Sequence, residues 1–143
     1  MEWLFIFYNT LNDADLIRCV KEAMNKADCV DMTEAVENDS GYRAFSCRYF
    51  TVSWFKDEKI MQDFADELNE AYDTFIDSEL YIQLMVNDDR NRLNFEDVVA
   101  NTKKFVLLLA DIIENDYILM SIEGEVYSTR INNKTVYYGG FLR

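Results

Sequence analysis

The period of the apolar positions changes several times along the chain, and each change marks an element. Trp3 to Tyr8 is a short apolar, aromatic run suited to a buried strand. Asn12 or Asp13 then caps a helix, in which Leu16, Val20, Ala23, Met24 and Ala27 recur at helical spacing. From Asp28 to Gly41 the chain is polar and acidic and reads as a loop or an irregular edge strand. Tyr42 to Phe55 reads as one strand: Phe50, Val52 and Trp54 alternate with Thr51 and Ser53, the period of a strand with one buried face.

Asp57 caps a second helix with Ile60, Met61, Phe64, Leu68, Ala71, Tyr72 and Phe75 as its apolar stripe, and Leu80, Ile82, Leu84 and Val86 alternate as the next strand. A polar turn from Asn87 to Leu93 leads to the strongest helix. Asn94 starts it, Asp97 stands where a capping box has its partner, and Phe95, Val98, Val99, Thr102, Phe105, Val106, Leu109, Ile112 and Ile113 form a wide apolar face. Asn115-Asp116 stops this helix, which is predicted to be central. The tail reads as three strands, Tyr117 to Glu123, Glu125 to Ile131 and Lys134 to Tyr138. Gly124 sits in the first turn and Asn132-Asn133 in the second, where Asn tolerates positive φ. Short connections and the terminal meander predict an α+β fold with an antiparallel or mixed sheet, helices packed on one face and a C-terminal three-strand meander. A length of 143 residues fits a single domain, residues 1–143, with enough chain to bury a core unaided.

Charge adds the first functional signal. The chain holds 27 acids and 14 bases, net −13, which repels nucleic acids and anionic membranes and attracts a cationic protein. From Asp57 to Glu79 there are nine acids against Lys59 alone, a net of −8 in 23 residues. Asp63, Asp66, Glu67, Glu70, Asp73 and Asp77 follow steps of three and four. On a helix they form one stripe opposite Phe64, Leu68 and Phe75. Like charges at such spacing cost a few tenths of a kcal/mol per pair, and acids at a helix C-terminus oppose the dipole. The alternatives are a solvated acidic face and a docking surface for a cationic partner such as a toxin domain.

Catalytic chemistry is poorly represented. The chain has no histidine, and so no Ser-His or Cys-His pair and no imidazole metal ligand. Cys19, Cys29 and Cys47 are odd in number and include no CxxC, which argues against a disulfide framework and a thiolate zinc site; Cys19 and Cys47 lie in apolar patterns, as buried small hydrophobes do. There is no P-loop and no GxGxxG. Asp88, Asp89, Asn91 and Glu96 fail EF-hand spacing, because Arg90 or Leu93 occupies a ligand position. The expectation is a protein without catalytic residues, metal or cofactor. A start with no basic region ahead of its short apolar run, and no apolar run approaching a bilayer span, predict a cytoplasmic protein.

The stretch from Asn94 to Ile131, a long apolar helix followed by Tyr-Ile-Leu-Met-Ser-Ile-Glu-Gly-Glu-Val-Tyr and a short basic strand, resembles bacterial polymorphic-toxin immunity proteins of the Sit type. The resemblance covers about a quarter of the chain. It implies a small cytoplasmic α+β domain that neutralises a cognate toxin by direct binding, and it transfers no binding residue. Two other readings share parts of the pattern. A nucleic-acid mimic would use the same charge to occupy the DNA site of an enzyme. A small-ligand domain would line a cleft with Tyr42, Tyr49, Trp54, Tyr81, Tyr127 and Tyr137, although aromatics at strand spacing more often serve as core.

Overall fold

The computed structural model describes residues 2–7, 12–29, 31–37, 42–56, 80–86, 93–121, 125–139 and 142. Ten elements lie within them: β1 (Glu2–Phe7), α1 (Asp13–Lys26), β2 (Thr33–Glu37), β3 (Tyr42–Ser46), β4 (Phe50–Lys56), β5 (Leu80–Val86), α2 (Phe95–Ile112), β6 (Tyr117–Ser121), β7 (Val126–Ile131) and β8 (Lys134–Tyr137). The strands form a single sheet in the order β2-β3-β4-β5-β1-β6-β7-β8. Every pairing among the described residues is antiparallel, the first of the two predicted arrangements, and the fold is α+β. The second predicted helix, including Ile60 through Phe75, lies outside the described residues.

Each described helix begins on an asparagine. Asn12 accepts a hydrogen bond from the Asp15 amide at 2.8 Å, and Asn94 accepts one from the Glu96 amide at 2.9 Å. The second bond reaches the amide two residues into the helix rather than three, and among the described residues Asp97 makes no return bond. The capping box predicted there is therefore a simple asparagine cap. Leu16, Val20, Ala23, Met24 and Ala27 of α1 are all buried, as their spacing requires. In α2 the buried face is Val98, Thr102, Phe105, Val106, Leu109 and Ala110, with Ile113 just past the end; Phe95 is 44% exposed and falls off the stripe.

The two helices pack on the same face of the sheet. Phe45, Phe50, Val52, Trp54, Tyr117 and Leu119 join the helical residues in one hydrophobic cluster, and Phe50 meets Phe105 with ring centroids 4.7 Å apart. Pairing keeps these residues in phase across the sheet: Phe45 is opposite Val52, and Leu119 opposite Ser128. Their strand neighbours Ala44, Ser53, Ile118, Met120 and Thr129 are also buried but stand outside that cluster. By alternation they occupy the second face, so β6 reads as five consecutive buried residues rather than as an alternating strand.

The span from Tyr42 to Phe55 is two strands rather than one. The chain reverses at Cys47-Arg48-Tyr49, where the Cys47 amide donates to the Phe50 carbonyl at 2.9 Å. This hairpin contains no Gly, Pro or Asn, so the usual turn residues give no notice of it. The stretch after α1 contains β2, which is an edge strand of the sheet. The terminal meander is present, and Asn132 and Asn133 take φ of 52° and 62°, as a two-residue turn with both central residues left-handed demands. The turn predicted at Gly124 lies outside the described residues.

Two stability predictions follow from this core. Leu109 is fully buried among helix and sheet residues, so Leu109→Ala is expected to cost about 2–5 kcal/mol in chemical denaturation. A loss under half a kcal/mol would contradict its placement. Trp54 is 1% exposed, stacks on Phe45 at 5.7 Å, and its indole Nε1 has no hydrogen-bond partner among the described residues. Trp54→Phe removes that orphaned donor and keeps most of the apolar area. It should change stability by under about 1 kcal/mol, against about 3–5 for Trp54→Ala.

Candidate functional site

The acidic stripe Asp63, Asp66, Glu67, Glu70, Asp73 and Asp77 lies wholly outside the described residues. What the structure does describe is how the rest of the acidic surface is organised, and it centres on the end of α2. No basic residue stands in the last turn of that helix, while Asp111 and Glu114 do stand at its end, exposed. Carbonyl groups at a helix C-terminus carry partial negative charge, so this arrangement is locally unfavourable.

A residue from the sheet offsets it. Arg130, in β7, donates through Nη1 to the Ala110 carbonyl at 2.8 Å and through Nη2 to the carbonyls of Ile113 and of Asn115, the latter at 2.6 Å; its Nε also reaches the Asn115 carbonyl at 3.2 Å. The guanidinium lies over the ring of Tyr117, its register partner on β6, at 4.9 Å from the centroid. Tyr117 is itself buried and its hydroxyl meets the Ser128 hydroxyl at 3.0 Å; burial raises its pKa, with the Ser128 contact acting the other way. Asp116 turns inward, accepting from the amides of Asn132 and Asn133 at 2.8 and 3.3 Å, and so braces the β7–β8 turn. Arg130 thus spends its charge on backbone carbonyls. Asp111 and Glu114 are left without an ion-pair partner among the described residues.

Beside this end runs an open groove of about 310 Å³ lined by Asp15, Arg18, Cys19, Ile112, Ile113, Glu114 and Asn115. It exists because α1 and α2 run antiparallel: the start of α1 faces the end of α2 here, and at the other end Lys104 reaches Asp28 at 3.4 Å. Asp15 is already engaged by Arg18 at 3.5 Å and by the Asn12 amide group at 2.8 Å. Glu114 is the groove's uncommitted carboxylate, set on an apolar floor of Ile112 and Ile113.

The opposite end of the helix pair carries a different cluster. α1 ends in a Schellman motif: Asp28 takes φ of 55°, its amide donates to Asn25, and the Cys29 amide donates to Met24 at 3.1 Å. This turn delivers Cys29 to the neighbourhood of the β3–β4 turn, where it and Cys47 are each the largest influence on the other's pKa. Cys29 lowers the pKa of Cys47 to about 7, with the Tyr49 and Phe50 amides acting the same way against burial. The Cys29 thiol is pushed up, by Cys47 first and by burial second. All three cysteines are free thiols. Distance in sequence concealed the pairing of Cys29 with Cys47; nothing in their spacing signals it.

Of the aromatics considered for a ligand cleft, Trp54 and Tyr127 are core residues, Tyr49 is half-buried, Tyr137 is largely exposed, and the side chains of Tyr42 and Tyr81 lie outside the described set. No group of three or more metal-ligating side chains occurs among the described residues, and no described helix is long and apolar enough to cross a membrane. Comparison with protein families, with curated proteins and with solved structures found no match to this chain.

The missing base at the end of α2 and the lone Arg in Ser-Thr-Arg-Ile were both visible in the sequence, though only the fold brings them together. Arg130→Met leaves those carbonyls without their donor and is expected to lower stability by about 2–3 kcal/mol in urea titration. Arg130→Lys should recover only part of the loss, since an ammonium lacks the planar fork. Full recovery by lysine would show that charge alone suffices there.

Proposed function

We propose that this protein is a cytoplasmic, immunity-type inhibitor that neutralises a cognate basic toxin by direct protein–protein binding. The observation that carries the reading is the concentration of charge: of the chain's net −13, the 23 residues from Asp57 to Glu79 supply −8. Local helix energetics do not favour such a run, and a partner of opposite charge gives it a use. The described surface adds Asp111 and Glu114, exposed and without ion pairs among the described residues. The resemblance of residues 94–131 to Sit-type immunity proteins agrees in size and fold class. Inhibition by occlusion needs no catalytic group, metal or cofactor in the inhibitor. Acidic residues accelerate its encounter with a cationic active site.

Asp63, Asp66, Glu67, Glu70, Asp73 and Asp77 form the docking stripe in this proposal. Replacing Asp66, Glu70 and Asp73 together with Lys removes like-charge repulsion, so the variant is expected to keep its fold with an equal or higher thermal midpoint. Binding should weaken mainly through a slower, salt-dependent on-rate. The measurement pairs the thermal midpoint with capture of the partner from a lysate of the source cell at low and high salt. Equal capture by native and triple-Lys protein at low salt, with the midpoint raised, would identify the stripe as merely solvated. A captured DNA-binding enzyme in place of a toxin would transfer the same stripe to nucleic-acid mimicry.

A further inference from the structure

We propose that Cys29 and Cys47 form an oxidation site, at which hydrogen peroxide converts two adjacent thiols into a disulfide fastening the α1–β2 loop to the β3–β4 turn. The placement is specific. Cys29 follows the left-handed Asp28 of the Schellman motif, and Asp31, two residues on, is again left-handed at φ of 59°. Arg48, next to Cys47, forms a two-pronged contact with Asp31 at 2.9 and 3.1 Å. The two loops are therefore clamped beside the two cysteines before any bond forms, and the thiols stand close enough to shift each other's pKa in opposite directions. Cys19, the remaining cysteine, stands on α1 and lines the groove at the other end of the helices.

The two sulfurs have unequal roles. Cys47 is the sulfur whose pKa is lowered, by Cys29 first and then by the Tyr49 and Phe50 amides, which favours it as the attacking thiolate. Cys47 retains 9% exposure and Cys29 is half-buried, so a small oxidant rather than a bulky one is the fitting reagent. The Cys47 thiolate attacks one peroxide oxygen, the O–O bond breaks, and hydroxide leaves to take a proton from solvent as water. The Cys29 sulfur then attacks the resulting sulfenic sulfur, the S–O bond breaks, and the departing hydroxide takes the Cys29 proton as a second water. Two thiols are oxidised and one peroxide is reduced to two waters.

The bond would close the open end of the β2–β3 hairpin, whose last pair is Thr33 opposite Ser46. Since β2 is a sheet edge, the consequence is an edge fastened covalently under oxidising conditions and held by Arg48 and Asp31 otherwise. This does not depend on the identity of any partner.

The test treats the native full-length chain with peroxide, then unfolds it, blocks the remaining thiols with iodoacetamide and measures intact mass and peptide links. The expected result is a loss of two hydrogens, one blocked thiol at Cys19 and a Cys29–Cys47 link, with a reductant-reversible rise of the thermal midpoint on the order of 10 °C. Cys19→Ser should behave like the native chain, and Cys29→Ser should form no link. Met32, 38% exposed, serves as an internal dose marker. Sulfoxide at Met32 with all three thiols still free overturns the proposal, as does a link that includes Cys19 or a linked protein whose midpoint has not risen.

Discussion

The guanidinium of Arg130 is the contact on which the arrangement of this fold depends. It takes carbonyls at the end of α2 and just beyond it, at Ala110, Ile113 and Asn115, and holds them against β6 and β7. That fixes where α2 ends and how it lies over the sheet, and so places Phe105 on Phe50 and Leu109 inside the cluster. α1 then fills the space beside α2, with Lys104–Asp28 at one end and the Asp15–Arg18 groove at the other. A helix ending in acids is tolerated because its dipole is answered by a cation from another element.

The same economy explains the acidic surface. Much of the described positive charge is committed to structure: Arg130 to carbonyls, Lys104 to Asp28, Arg48 to Asp31, and Lys21 both to Glu34 at 3.8 Å and over the Phe45 ring at 5.6 Å. Individually the exposed pairs contribute little. Together they draw cations toward loops and interhelical contacts and leave carboxylates such as Asp111 and Glu114 uncompensated at the surface.

What could be read in the sequence follows a physical rule. Elements whose signal is local were legible: the asparagine caps, the α1 and α2 stripes, the alternation of Phe50, Val52 and Trp54, and the Asn132-Asn133 turn. The Cys47–Tyr49 reversal was not, because its turn is made by ordinary residues and held by one backbone hydrogen bond. The five buried positions of β6 also defeat an alternation rule, since a strand buried on both faces has no period to read. At the surface, the charge run from Asp57 to Glu79 was plain, while the Arg130 anchor and the Cys29–Cys47 contact needed three dimensions. Each joins residues fifteen or more apart, and neither residue type is unusual where it stands.

The strand order has a consequence for how the molecule comes into being. β1, earliest of the described elements, sits between β5 and β6 and, among the described residues, is the only strand joining the group β2–β5 to the group β6–β8. Its partners are residues 81–85 on one side and 117–121 on the other. A ribosome releasing this chain therefore emits the joining strand first and both of its neighbours much later. Until residue 121 has emerged, β1 has an unpaired edge, and the sheet can extend at most from β2 to β1. Closure is a late event that brings distant segments together at once, the regime in which folding is slow and exposed strand edges invite association with other chains.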